Sequence, residues 1–477
     1  MMLSKNAVSR NEKLYRPAAP IKLAVMLNYI WLGLMVAAVV IGATHDTLDA
    51  VGKAAFERAE FAVMQLALPL AGVMALWLGI MRLAEKAGLI SVLARLLRPL
   101  MRRLFPDVPP EHPAMGSMLM NMAANILGLS NAATPLGIRA MQDLETLNRR
   151  PGVASNAMCT FLAINTSSIQ LIPATAIAVL AVAHATNAFA IVSSSIMATF
   201  CSTVAGITAV KLLEKLPGYR LPPLPKVTLA VETPTQNPEA AAGTAPAPVV
   251  LSNQLLTPLN WFSWLVLVVF AGVFIYAFLR LGFSEMFGKA PLASLAGQNS
   301  FLRSTNAISL LSIPLLLSFF PLYAALRGVN VYEEFVEGAK DGFKTSVMIM
   351  PYLVAILVAI GMFREAGGIE MLTLALKPVL DFVHFPTELL PLCLVRPLSG
   401  SGTLGLLSDL VKEFGPDSLL ARTAGTIFGS TETTFYVIAV YFGAVGVKRT
   451  RHAVPAGLIA DGVGMIAAII ICRLMFA

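Results

Sequence analysis

Two short polar runs interrupt long apolar stretches at matching places in the two halves of the chain. They are Asn165-Thr166-Ser167-Ser168-Ile169-Gln170 and Ser430-Thr431-Glu432-Thr433-Thr434-Phe435. Their hydroxyls and amides supply donors and acceptors without charge, and Glu432 adds one carboxylate. Such a set suits a neutral polar solute held by many hydrogen bonds. A second apolar segment, rich in small and polar residues, precedes each run. In the first half it carries Asn121, Asn125, Ser130, Asn131 and Thr134, with Gly128, Pro135 and Gly137 interrupting any continuous helix. In the second half it is Arg396-Pro397-Leu398-Ser399-Gly400-Ser401-Gly402-Thr403. Proline and repeated glycine permit a tight turn at membrane depth, and the amides exposed there can hold a polar or anionic ligand.

Each pattern has a plainer explanation. Small residues let helices pack closely, and hydroxyls bond to neighbouring helices for about 0.6 kcal/mol each. That explains one or two hydroxyls well, and nine uncharged polar residues in two matching places poorly. Arg396 and Glu432 are charges inside apolar segments, where charge is costly and marks function by default. They either pair with each other and fix the hairpin against the helix, or Glu432 serves as a proton or cation site. Asp461, in the last apolar stretch, is a second candidate, whereas Asp409 is expected to cap or end a helix near the surface. Ser399-Gly400-Ser401-Gly402 resembles the Gly-x-Ser-Gly of rhomboid intramembrane proteases, but the first Gly is missing and no nearby span carries His. No His-Glu-x-x-His zinc site is present either. The expectation is therefore no catalytic residues, no metal and no enzyme.

Composition sets the class. The 477 residues are 57% hydrophobic and 13% charged, with mean hydropathy +0.74, against about 25% charged in soluble domains. This is the signature of an all-α polytopic membrane protein, with the lipid bilayer as its first partner. The net charge of +8 then reports loop orientation, not nucleic-acid binding. Cys159, Cys201, Cys393 and Cys472 lie in apolar stretches without a Cys-x-x-Cys pair, and the five His show no ligand spacing. The lack of a Gly-x-x-x-x-Gly-Lys-Ser/Thr loop argues against ATP-driven transport. Ile21–Gly42, which includes Lys22, follows Lys5, Arg10, Lys13 and Arg16, yet it is longer than the apolar core of a signal peptide and fits a retained span.

Nine spans are expected, at about 21–43, 62–81, 154–183, 188–210, 258–281, 306–326, 346–363, 421–446 and 453–475. Segments 114–137 and 391–407 are expected to be re-entrant hairpins, and 154–183 a helix broken near Pro173. Residues 217–250 hold eight prolines and no apolar periodicity, which reads as a disordered linker. The resulting units are 1–216 (first repeat), 217–250 (linker), 251–327 (connecting span and first span of the second repeat) and 328–477 (remainder of the second repeat). Basic residues place the N-terminus and the linker in the cytoplasm. Residues 82–112 hold six basic and three acidic residues, while their counterpart 364–390 holds two and four, so the two repeats should be inverted. The match extends to Ala87-Gly88 with Ala366-Gly367, Arg98-Pro99 with Lys377-Pro378, and Phe105-Pro106 with Phe385-Pro386. Ala55–Glu60 and Glu333–Gly338 are each expected to start an amphipathic helix lying in the membrane interface.

The first half resembles spore maturation protein A in Trp77-Leu78-Gly79, Ala84–Gly88, Asn125–Pro135 and Asn165–Ser168. The second half resembles spore maturation protein B in Phe335–Lys340, Arg396–Gly402, Gly429–Tyr436, Tyr441-Phe442-Gly443, Lys448–His452 and Ala460-Asp461. The chain looks like a fusion of the two. The resemblance places it with the gate domains of concentrative nucleoside transporters and ferrous-iron transporters, though no GTPase accompanies it. It implies two inverted gate-type repeats, paired re-entrant hairpins around a midplane site, and a multi-pass protein of the bacterial plasma (inner) membrane. The expected function is a secondary transporter or facilitator of a small polar solute, nucleoside-like by analogy of fold, with a coupling proton or Na+ compatible with it. The alternative is a non-transporting membrane scaffold in envelope or spore maturation, including core dehydration. A homo-oligomer is compatible with either.

Overall fold

A computed structural model of the chain describes residues 21–128, 130–167, 170–220, 256–288, 292, 299–371, 374 and 385–476. The linker beyond 220, the N-terminal arm, and most of residues 372–384, including Lys377-Pro378 and Asp381, lie outside the described residues. Among the described residues the protein is all-α, with one isolated bridge between Val153 and Arg449. The chain is a polytopic membrane protein in contact with the bilayer.

The first half runs through α1 (Ile21–Thr44), α2 (Leu48–Lys86), α3 (Leu89–Leu104), the hairpin α4 (Pro113–Ile126) and α5 (Ser130–Thr146), the broken helix α6 (Asn156–Thr166) and α7 (Ala174–Val182), and α8 (Ile191–Leu213). Next come α9 (Trp261–Gly282) and α10 (Ser300–Leu326). The second half repeats the order with α11 (Val331–Glu365), the hairpin α12 (Leu390–Val395) and α13 (Gly400–Phe414), the broken helix α14 (Leu419–Ser430) and α15 (Thr434–Ala444), and α16 (Ala453–Phe476). Among the described residues six helices are long and apolar enough to span a bilayer: α2, α8, α9, α10, α11 and α16. The expected spans 154–183 and 421–446 are the two broken helices, each a pair of half-helices. The expected first span forms α1.

The duplication is visible in how α2 and α11 end. Gly88 and Gly367 both take positive φ, +79° and +86°. In both halves the glycine amide bonds back to the residue three before it, Glu85 or Arg364. Only glycine enters that left-handed conformation cheaply, so the shared Ala-Gly is a helix stop. The amphipathic α3 follows the first of them, with Ile90, Ala94 and Met101 buried and Arg102 and Arg103 in its last turn.

The expected interface helices are corrected. Ala55–Glu60 and Glu333–Gly338 do not lie as separate elements; they are the opening turns of α2 and α11, which run on unbroken. Nothing in either sequence stops the helix. Pro69 removes a backbone donor, and α2 absorbs this in a π segment, Phe61–Ala67, just ahead of it. At 39 residues α2 is about 58 Å long, well beyond the hydrocarbon thickness.

The two halves are antiparallel. Along α2 and α11, Arg58 meets Gly361 while Met74 and Leu78 meet Gly342 and Gly338, so one residue number falls as the other rises. The backbones touch: a Cβ on Gly338 or Gly342 would sit 2.5 Å from the carbonyl oxygen of Leu78 or Met74. Along α8 and α16, Ser202 meets Gly464 and Gly206 meets Ala460 in the same opposed sense. The broken helices follow suit, with α6 against α15 and α7 against α14. Among the described residues two large apolar cores result, one at each end of the spanning helices, and a small third cluster of Ala38, Val51, Met362 and Ala366. One contains α3 to α6 with α15 and the start of α16; the other contains α7, α12 to α14 and the end of α16. Gly342→Val should therefore cost at least about 1–3 kcal/mol through overpacking. Thermal unfolding in detergent measures it, and an unchanged midpoint would mean that the two helices can separate without loss.

Candidate functional site

The first break forms where α6 runs out of backbone partners. Its N-terminus is capped by Ser155, which accepts from the Met158 amide at 3.2 Å. At the other end Thr166 and Ser167 donate their hydroxyls back to Ala163 and Ile164 at 3.0 and 2.9 Å. Pro173, before α7, has no amide to continue the ladder. The freed carbonyls turn sideways: that of Thr166 accepts the Glu432 amide at 3.1 Å, and that of Ser167 accepts the Thr199 hydroxyl at 3.0 Å.

The second break is built differently. Thr431 leaves α14 in an extended conformation, φ −134° and ψ 162°. Its hydroxyl and that of Ser430 bond back to the Ile427 carbonyl. Arg396, 3% exposed at the hairpin turn, reaches across. Its guanidinium donates to the Phe428 carbonyl at 2.8 Å, to the Thr431 hydroxyl at 3.0 Å and to the Thr431 carbonyl, and stacks 4.5 Å over the Phe428 ring. A cation here satisfies carbonyls that the helix end orphans. Arg396 thus braces the break. Glu432 is half-buried, with its carboxylate 3.3 Å from the Thr433 amide.

Ser399 caps α13 by accepting the Gly402 amide at 3.0 Å, and Thr403 donates to the Ser399 carbonyl at 2.6 Å. The half-buried Ser401 lies 3.4 Å from the Ser399 hydroxyl. The turn rests on the next half-helix through the Phe435 amide and the Pro397 carbonyl, 3.0 Å, and Gly400 packs on Thr433.

Both breaks meet on one face of α16. A Cβ on Gly457 would lie 2.9 Å from Thr434 and 3.3 Å from the Thr166 hydroxyl; one on Gly464 would lie 2.9 Å from Thr431 and 3.0 Å from Ser202. Between these glycines stands Asp461, 1% exposed. Its Oδ2 accepts the Thr434 hydroxyl at 2.6 Å. Its Oδ1 has no partner among the described residues. A second polar network lies toward the first hairpin. Asn125 donates to Asn165 at 2.9 Å, Asn121 to the Ala133 carbonyl at 2.7 Å and to Tyr441 at 3.3 Å, and Tyr441 to Asn165 at 3.4 Å. Tyr441 was missed as a site residue because it sits in an uninterrupted apolar run. It entered the sequence reading only within Tyr441-Phe442-Gly443, as part of the resemblance; its ring packs against the backbone of Gly137.

Of the other expected residues, Thr134 and Gln170 are half-buried near the first hairpin and break. Ser168 and the side chains of Ser130 and Asn131 lie outside the described residues. Asp409 is a correction: it is no surface cap but is 2% exposed on α13. It pairs with Arg58 of α2 and, at 3.0 Å, with Arg364 of α11, which also meets Glu413. At the opposite end of the frame a cavity of about 140 Å³ runs between α2, α11, the turn at Leu127-Gly128 and the start of α7. Arg82, Glu85, Asp341 and Thr345 give it a polar wall. Arg82 pairs with Glu334 at 2.7 Å. Among the described residues no group of three or more His, Cys, Asp or Glu is arranged to hold a metal.

Paired hairpins, crossed broken helices and an inverted frame define a gate-type membrane protein, and the chain belongs to the Gate family, described as nucleoside recognition, with residues 67–213 and 346–448 matched. Two proteins of Bacillus subtilis (strain 168) are similar to it. Spore maturation protein B is 45% identical over 171 residues, which is 36% of this chain and 96% of that protein. Spore maturation protein A is 45% identical over 182 residues, 38% of this chain and 92% of that protein. Each covers about a third of the chain, which fits a fusion of an A-like and a B-like half. The matched family region ends before Asp461.

Proposed function

We propose that the protein is a secondary transporter or facilitator of a small polar, nucleoside-like solute in the bacterial inner membrane. The crossing of two broken helices, with hydroxyls, amides and a carboxylate buried around it, carries this reading. Half-helix ends at membrane depth offer backbone groups to a solute that a continuous helix would keep to itself. The cavity beside Arg82 gives a way in from the face that the basic loops assign to the cytoplasm, where the N-terminus and linker also lie. The Arg58–Asp409–Arg364 cluster closes the other face. Movement across the membrane is the whole reaction, with no catalytic residue, no cofactor and no nucleic-acid partner, and a homo-oligomer is compatible with it.

One observation favours the alternative, a membrane scaffold in envelope or spore maturation. Asn125, Asn165, Arg396 and Ser399 already bond to protein groups. A scaffold needs no more than that.

A thermal-stability screen of the purified protein against nucleosides, nucleobases, amino acids, polyamines and small osmolytes decides between them. A ligand of the folded state should add about 2.7 kcal/mol at a hundredfold excess over its dissociation constant. The response should be lost in Glu432→Gln. A panel without any shift, on a normally folded protein, would favour the scaffold.

A further inference from the structure

The geometry points to Asp461 as a proton-exchange site, the place where the coupling proton of the proposed transporter binds. This rests on the transport reading only for the word coupling; the site itself is argued from its surroundings. Asp461 is sealed in the middle of α16, at the level where both broken helices cross, and its Oδ1 is without a partner among the described residues. A buried ionised carboxylate with one oxygen unpartnered among the described residues is costly in a low-dielectric setting, and a bound proton removes the cost. Few charges face it. Arg396 from the second hairpin and Glu432 from the second break act on it, while α6 and α8 bring the hydroxyls of Thr166 and Ser202 to its helix face.

The same contacts link the proton to the moving parts. Thr434 is the first residue of α15 and holds Oδ2 at 2.6 Å, so the charge on Asp461 is felt at the start of a half-helix. Positive dipole at that end favours the ionised form, and the bare Oδ1 favours the protonated one. Release moves one proton from the carboxyl oxygen to water and leaves the carboxylate; no electrons move. In this conformation the group is closed to both faces, and exchange requires the hairpin or the break to part.

The test is infrared difference spectroscopy of the full-length protein in detergent, titrated from acid to alkaline pH. It reads the carbonyl stretch of protonated carboxylic acids. Wild type should keep a band above about pH 6, where exposed carboxyls are already ionised, that disappears on further alkaline titration. Asp461→Asn, which keeps the size of the side chain, should lose it; Glu432→Gln should keep it. A band that survives in Asp461→Asn, or disappears in Glu432→Gln alone, overturns the assignment. So does a sodium-dependent rise in the melting temperature of wild type at fixed pH that Asp461→Asn abolishes, since the site would then be a sodium site. The spectrum reads protonation and not flux. A scaffold that carries nothing would still show the band, and a transporter driven elsewhere would lack it.

Discussion

Replacing Asp409 with alanine is expected to lower stability by about 3–5 kcal/mol, the range for removing one member of a buried ion pair. Its carboxylate ties the second hairpin to both frame helices, through Arg58 on one side and Arg364 on the other. Without it two guanidinium groups face each other across a closed space. Their side chains keep 16% and 19% exposure, so water can enter and the effect belongs at the lower end of the range. Asp409→Asn retains the shape and one acceptor and should fall between alanine and wild type. Melting in detergent measures both. An alanine variant as stable as wild type would mean that the cluster is solvated and holds nothing. If the protein transports, the same substitution should also raise leak of solute through the face it closes, measurable in proteoliposomes.

The second large effect is expected at Arg396. Arg396→Ala removes the donors of the Phe428 and Thr431 carbonyls at the end of α14. Leaving a buried acceptor unpaired costs about 1–3 kcal/mol, so a loss near 3 kcal/mol should follow, with the stacking on Phe428 lost as well. Arg396→Lys should recover only part of it, because a point ammonium cannot serve two carbonyls and a hydroxyl in one plane. Melting curves of both variants check this. If Arg396→Ala melts as wild type and loses only a ligand response, Arg396 contacts ligand and is not a brace.

The two breaks were legible in the sequence because uncharged polar side chains are rare inside apolar runs, and Asn165–Gln170 and Ser430–Thr434 stand out at once. The hairpin turns were legible from Gly128 and Pro397, whereas Pro135 and Gly137, also read as interruptions, lie inside α5, which runs on through them. The inversion was legible because the matching segments 82–112 and 364–390 carry opposite charge balances. What the sequence hid was long-range. Asp409 reads as a helix end because Lys412 and Glu413 follow it, and only α2 and α11, folded against it, make it buried. Ala55–Glu60 reads as an interface helix because it mixes charged and apolar residues ahead of a span, but Arg58 within it finds its partner 351 positions away. Asp461 could be named from its lone charge. Its place between Gly457 and Gly464, against both breaks, needed α16 to be packed.

The antiparallel contacts of α2 with α11 and of α8 with α16 all join one half of the chain to the other. Adhesion between the halves is therefore a property of their surfaces. Covalent continuity contributes something else: it guarantees equal dosage of the two halves and raises the local concentration of one around the other during synthesis. A gene cut in the linker region and expressed as two polypeptides should still yield the paired frame, at a rate set by how often the halves meet in the bilayer.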